Sequence, residues 1–261
     1  MRSPARERMG GVRTRSLYLG MLGLAEFART AMFFILLPIY ATQDLGLSLA
    51  LAGLAISSHY LADTLFRGPM GWLVDRVGTR PLMLLSFLLG SLAIFLIWHA
   101  RSALSLVVAC AFFGFTISPA WPSVVTGTTA RATPENRATI MGMVFSAWLL
   151  GGGSGLMLLE LLIGNSVRLS FLMLILAQVV GLILALLLRD GRPGARVEGI
   201  SWMEGLSHVG RDIRTVRLLF PGMIVQNMAL GLLVPVARIF AAQDLKVSSQ
   251  QFALLIVGGG P

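Results

Sequence analysis

Apolar residues in this chain gather into blocks of about twenty, separated by short connections that hold most of the charge. A helix rising 1.5 Å per residue needs about twenty residues to cross a hydrocarbon core ~30 Å thick. The pattern predicts spanning helices over 17–40, 49–73, 81–100, 103–129, 138–164, 169–188 and 215–241, with an eighth beginning near Ser249 and cut off at Pro261. No period-two alternation appears. Segments in lipid must satisfy their own backbone hydrogen bonds, so the expected fold class is an all-α membrane protein.

Composition agrees with the pattern. Of 261 residues, 56% are hydrophobic and 13% charged, with a mean hydropathy of +0.79; soluble domains carry about a quarter charged residues. The net charge of +9 does not indicate a nucleic-acid partner, because the basic residues sit between apolar blocks and act there as topology determinants. Fifteen of the 21 Lys and Arg fall in the tail and in 71–81, 130–137 and 189–217, against Arg101, Arg168 and Lys246 in the alternate connections. That asymmetry predicts a cytoplasmic N-terminus. The stretch 17–40 is too long for a secretory leader and reads as a retained first helix. Cys110 is the one cysteine, so no intrachain disulfide can form.

Four parts follow: a cytoplasmic tail (1–16), a six-helix bundle (17–188), a charged, Gly-rich cytoplasmic linker (189–214) and an incomplete second bundle (215–261). Within the linker, Ile200, Trp202, Met203 and Leu206 could form a short interfacial helix. Gln43-Asp44-Leu45, Ser48 and Leu54 recur 200 positions later as Gln243-Asp244-Leu245, Ser248 and Leu254. Such an echo points to duplicated bundles. The expectation is a fragment of a chain of roughly 400 residues and twelve helices.

Ionisable residues inside spans are costly and mark functional positions by default. Glu26 and Arg29 lie three apart in the first span; His59, Asp63 and Arg67 lie four apart in the second. Each set occupies one helix face. Counted from the inner ends, Glu26 and Asp63 sit at similar depth, ~14 Å into the membrane. A carboxylate deprived of its guanidinium partner in a low-dielectric site takes up a proton. Glu26 or Asp63 is therefore a candidate proton carrier; the alternative is a permanently paired network that fixes packing. Arg67, nearest the cytoplasm, can snorkel there. His59 reads as a hydrogen-bonded helix residue rather than a proton carrier, and Glu160 and Arg238 as reaching toward the outer interface. Ser118-Pro119-Ala120-Trp121-Pro122 should bend the fourth span. Trp121 and Trp148 are candidate cavity residues or packing residues. Gly151 and Gly155 permit close helix approach.

Between spans two and three stands Gly71-Trp72-Leu73-Val74-Asp75-Arg76-Val77-Gly78-Thr79-Arg80. Its two glycines suit a tight reversal. The run resembles the loop signature of the major facilitator superfamily: Gly71, Asp75, Arg76, Gly78 and Arg80 match, and Thr79 replaces a basic residue. The resemblance implies an N-terminal fragment of a two-bundle transporter working by alternating access. It also implies that spans one, two, four and five line a cavity while three and six face lipid, and that this loop is a conformational latch, Asp75 pairing with Arg137. Drug–proton antiporters of that superfamily carry an arginine where Cys110 stands and a proline where Leu156 stands, so drug export is not indicated. Glu26, Arg29 and Asp63 together are similar to the flippases that move glycolipid anchors for lipoteichoic acid.

The expected activity is proton-coupled transport of a small organic solute across the plasma membrane by a monomer. Alternatives are a glycolipid flippase of the same fold or a non-transporting sensor or accessory protein. A membrane-embedded enzyme would display acid or His clusters at the surface, and the outer connections contain little besides Asp44, His99 and Asn165. No catalytic residue, metal or cofactor is expected; the partners are the substrate (small molecule or lipid-like), protons and the bilayer.

Overall fold

A computed structural model of the chain describes residues 4–130, 132–163 and 166–188 and four isolated positions beyond, with side chains from Gly11 onward. The expected linker with its interfacial helix, the spans beyond 214, the repeated Gln243-Asp244-Leu245 set and Arg238 lie outside the described residues.

Among the described residues, six helices are long and apolar enough to cross a membrane, so the chain is a multi-pass membrane protein. The first, α1, runs as an α-helix over Pro4–Ala31 and continues through two π-helical turns, Met32–Leu36 and Tyr40–Asp44, around a short α segment Leu37–Ile39. It starts well before the expected position 17, because Pro4 suits a first helical residue and arginines are good helix formers. Pro38 explains the widened turns: it has no N–H to give and its ring collides with the preceding turn, so the helix opens around it.

The other spans are α2 (Leu49–Val77), α3 (Thr79–Trp98), α4 (Ala103–Ile117 resuming as Ala120–Thr129), α5 (Pro134–Ile163) and α6 (Val167–Leu187). Their starts follow capping rules. The Ser48 hydroxyl accepts from the Leu51 amide, Ser102 and Ser105 form a reciprocal capping box, and the Ser166 hydroxyl accepts from the Leu169 amide. The expected bend in α4 is a break at Ser118 and Pro119, with Pro122 in the first turn of the resumed helix.

Packing then arranges the spans. α1 lies against α5, α6 and the second half of α4, while α2 lies against the first half of α4, and α3 against both α4 and α6. α1 is the most enclosed of the six and α5 the least. Polar side chains tie neighbours where helices touch. The Ser58 hydroxyl donates to the Val107 carbonyl at 3.0 Å, joining α2 to α4, and the Ser86 hydroxyl donates to the Thr116 carbonyl at 2.6 Å, joining α3 to α4. The spans expected to face lipid, α3 and α6, pack on each other and turn Leu85, Leu88 and Leu92, and Leu172, Leu176 and Ile183, outward.

The α1–α5 contact depends on small residues. A Cβ on Gly151 would lie 2.7 Å from the Gly23 Cα, and one on Gly155 would lie 2.5 Å from the Phe27 carbonyl oxygen. Both meet backbone, which cannot turn aside. Gly151→Ala and Gly155→Ala should each destabilise the bundle by about 1–3 kcal/mol, the usual cost of overpacking. Gly153→Ala, with nothing within 4 Å of the added carbon, should leave it unchanged. Thermal unfolding of the detergent-purified protein checks this; equal effects at all three positions would contradict the packing account.

Candidate functional site

Helical spacing sets the first layer of the site. Arg29 is one turn from Glu26 on α1, and its Nε donates to Glu26 Oε2 at 3.0 Å, with a second bond from Nη2 to the same oxygen. On α2, Arg67 is one turn from Asp63 and forms an ion pair with it through Nη2 and Oδ2. Tertiary structure adds the link between the two pairs. Arg29 Nη1 lies 3.9 Å from Asp63 Oδ2, across from one helix to the other. Two acids and two arginines thus form one neutral chain, Glu26–Arg29–Asp63–Arg67.

Burial is uneven along that chain. The Arg67 side chain is 36% exposed and the Asp63 side chain 4%. Arg67 is the most exposed of the four, yet its guanidinium is held against Asp63, one turn back along α2. Tyr60, buried on the same helix, presents its ring 5.8 Å from the Arg29 guanidinium carbon, within cation–π range. Sequence reasoning missed Tyr60, since a tyrosine in an apolar span carries no signal by itself.

His59 differs from its expected role. It is fully buried, and neither ring nitrogen reaches a partner at hydrogen-bonding geometry among the described residues, although the Cys110 carbonyl lies alongside. Its contacts are rings: Phe33 stacked at 4.0 Å, Phe113 stacked at 5.4 Å and Tyr60 edge-on at 5.0 Å. The hydrogen-bonded reading is corrected, because α1 and α4 each bring a phenylalanine to the imidazole. Gly114 makes that possible on the α4 side, since a Cβ there would run into the His59 backbone.

Other expected residues fall elsewhere. Trp121 meets Phe145 edge-on at 5.6 Å, and both Trp121 and Trp148 rest against the hydrophobic core, so their observed contacts are packing. Glu160, expected to reach the interface, is 1% exposed, because it lies on the buried face of α5 with Leu159 and Ile163.

The loop expected to be a latch is a tight reversal between α2 and α3. Gly78 has φ +94°, a conformation that side chains disfavour, which accounts for the second glycine. Gly71, one turn or more inside α2, sits 3.7 Å from the Pro122 side chain by its would-be Cβ. Arg76 stacks over the Trp72 ring at 4.1 Å, and Arg80 donates to the Leu186 carbonyl at 3.3 Å near the end of α6. The expected Asp75–Arg137 pair is not formed. Both residues are exposed, and among the described residues neither takes part in an ion pair. Each sits at the solvated end of its own helix, where an ion pair adds little. Thr79, which departs from the signature, has its own partner: its hydroxyl is hydrogen-bonded to the Tyr18 hydroxyl of α1. Gly127 of α4 leaves room for the Tyr18 ring.

The sequence matches the Major Facilitator Superfamily over residues 19–260. The chain belongs to that superfamily. Among curated proteins it is 27% identical over 246 residues to the proton-coupled antiporter flippase LtaA of Staphylococcus epidermidis, covering 94% of this chain and 60% of the relative. The LtaA proteins of Staphylococcus saprophyticus and Staphylococcus aureus are each 26% identical, again covering 94% of this chain and 60% of the relative. The chain spans about 60% of the length of the curated relatives it matches. Two solved structures share the fold. One is an auto-inhibited POT family peptide transporter (TM-score 0.56, 16% identity, 89% of this chain and 54% of that chain), the other a peptide transporter POT (TM-score 0.55, 20% identity, 93% and 56%).

Arg29 is the only described cation that touches both acids of this facilitator chain. Arg29→Met should therefore destabilise the protein by about 3–5 kcal/mol, as expected when one partner of a buried pair is removed and the other charge is stranded. Adding Glu26→Gln to Arg29→Met should recover part of the loss. Thermal unfolding of the single and double variants in detergent is the check, and a double variant no more stable than the single would contradict the shared-cation account.

Proposed function

We propose that the complete protein is a secondary transporter that moves a lipid-like substrate, a glycolipid anchor, across the plasma membrane in exchange for protons, by alternating access. The observation that carries this reading is the Arg29 bridge: two carboxylates at mid-span share one guanidinium, with Asp63 3.9 Å from it. Such a site has two states. With Arg29 between them, both carboxylates stay charge-compensated. When a rearrangement of α1 against α2 draws Arg29 away from Asp63, a carboxylate in a poorly solvated site is stabilised by taking a proton. Proton gain and loss are thereby tied to helix movement, which is what coupling requires.

The flippase part of the proposal draws on the relatives. They are proton-coupled antiporter flippases that align with 94% of this chain, and the sequence pattern of Glu26, Arg29 and Asp63 is similar to that of glycolipid flippases. In this reading the N-terminus is cytoplasmic, the protein works as a monomer, and the 71–80 turn is the conformational latch, with Asp75 exposed near its start. Substrate and protons meet the chain within the bilayer; neither nucleic acid nor catalytic chemistry enters the scheme.

The test uses the full-length protein in vesicles containing a fluorescent glycolipid, with a pH gradient imposed and translocation followed by quenching of accessible label. Wild type should translocate faster with the gradient than without. Asp63→Asn and Glu26→Gln should each abolish that acceleration, a loss of tenfold or more being on the order of removing a charge pair. Gradient-dependent translocation unchanged in both variants would sink the coupling assignment. Proton flux without lipid translocation would reassign the cargo to a small organic solute.

A further inference from the structure

The α1 and α2 helices run antiparallel, and their closest backbone packing lies along Leu37–Ile39 and Tyr40–Asp44, toward the end away from the arginine-rich tail. Deeper toward the charged chain, side chains span the gap. Two contacts do so in register. Phe33 is four residues after Arg29 on α1, and His59 is four residues before Asp63 on α2. The Phe33–His59 stack (4.0 Å) is therefore the layer one helical turn beyond the Arg29–Asp63 bridge (3.9 Å), on the same seam.

The backbone at this layer is unusual. Phe33 lies within the π-helical turn Met32–Leu36, where the Leu37 amide bonds back to the Met32 carbonyl. A π-turn rotates everything beyond it relative to an α-helix, and such turns recur at functional positions. The ring that the turn delivers to His59 is fully buried, and Phe113 of α4 closes the other side of the imidazole at 5.4 Å. Tyr60, next to His59, touches both layers: its ring is 5.0 Å from His59 and 5.8 Å from the Arg29 guanidinium. The imidazole is thus clamped as a flat ring, in contacts that a phenyl group would reproduce.

We propose that His59 is a positioning residue of the proton-coupling site: its stack between Phe33 and Phe113 sets the register of α1 on α2, and that register places Arg29 on Asp63. His59 does not itself carry the proton. This rests on the coupling reading given above. The ionisable groups around the layer are Glu26 and Arg29 from α1, Tyr60, Asp63 and Arg67 from α2, and Cys110 from α4. Of these, Asp63 is the one whose guanidinium partner reaches it from the other helix.

The experiment measures the pH dependence of gradient-driven translocation in vesicles for the full-length protein carrying His59→Phe, His59→Ala, Phe33→Leu, Asp63→Asn and the His59→Ala/Asp63→Asn pair. His59→Phe keeps the flat ring and should retain the wild-type pH profile within about 0.2 unit, a change too small to reflect a lost charge contact. His59→Ala and Phe33→Leu should each move the midpoint by about 0.5 unit or more to higher pH, since a carboxylate less firmly held by its guanidinium keeps its proton longer. In the Asp63→Asn background, His59→Ala should add no further change in pH dependence, because the group it acts through is gone.

Each alternative outcome is decisive. Loss of pH dependence in His59→Phe would make His59 a proton carrier and overturn the proposal. Unchanged profiles in both His59→Ala and Phe33→Leu would overturn it while leaving the coupling reading intact. Unchanged pH dependence in Asp63→Asn would overturn this inference, and the same result in Glu26→Gln as well would remove the coupling reading with it. If His59→Ala does not fold, Phe33→Leu against His59→Phe decides the same question.

Discussion

A charged group in hydrocarbon persists only if an opposite charge is held against it, and that constraint organises this bundle. Four charges at mid-span cost several kcal/mol each when isolated. Here they neutralise one another in the order acid, base, acid, base. The outer two pairs are intrahelical and would form in any helix of this sequence. The middle contact, Arg29 with Asp63, is the one that requires α1 and α2 to be placed correctly. The charge compensation of both acids therefore converges on one guanidinium.

The surroundings serve that placement. Glycines at 151 and 155 seat α1 on α5, and Gly114 seats α4 against the backbone at His59. Because these contacts involve backbone, they leave little freedom for α1 to drift. The second, aromatic layer is fully buried and is built from the stacked rings of Phe33, His59 and Phe113. Ionic and aromatic layers are thus stacked one helical turn apart along one seam. At the basic end, Tyr18, Thr79 and Gly127 join α1, α3 and α4, so the position where the loop departs from the superfamily signature has an interhelical contact of its own.

Membership of the superfamily and 26–27% identity to flippases describe different levels of this chain. The first concerns architecture, and the solved peptide transporters share it at 16–20% identity with a different cargo. Cargo is set by the cavity walls and coupling by a few charges. The Glu26–Arg29–Asp63 set is an ionic contact that joins α1 to α2.

Much of this was determined by the sequence alone. Hydrophobic block length dictated the spans, because the bilayer thickness is fixed and the helix rise is fixed. Helical spacing put Glu26 with Arg29 and Asp63 with Arg67, since residues one turn apart must be neighbours. Gly78 marked its turn because few other residues adopt a positive φ. Tertiary structure decided what spacing along one chain cannot encode. It brought Arg29 to Asp63, clamped His59 between rings from two other helices, buried Glu160 and left Asp75 apart from Arg137. It also turned Pro38 from a punctuation mark into two π-helical turns that aim Phe33. Those outcomes depend on the rotation and register of one helix against another, which arise only when all the spans pack together.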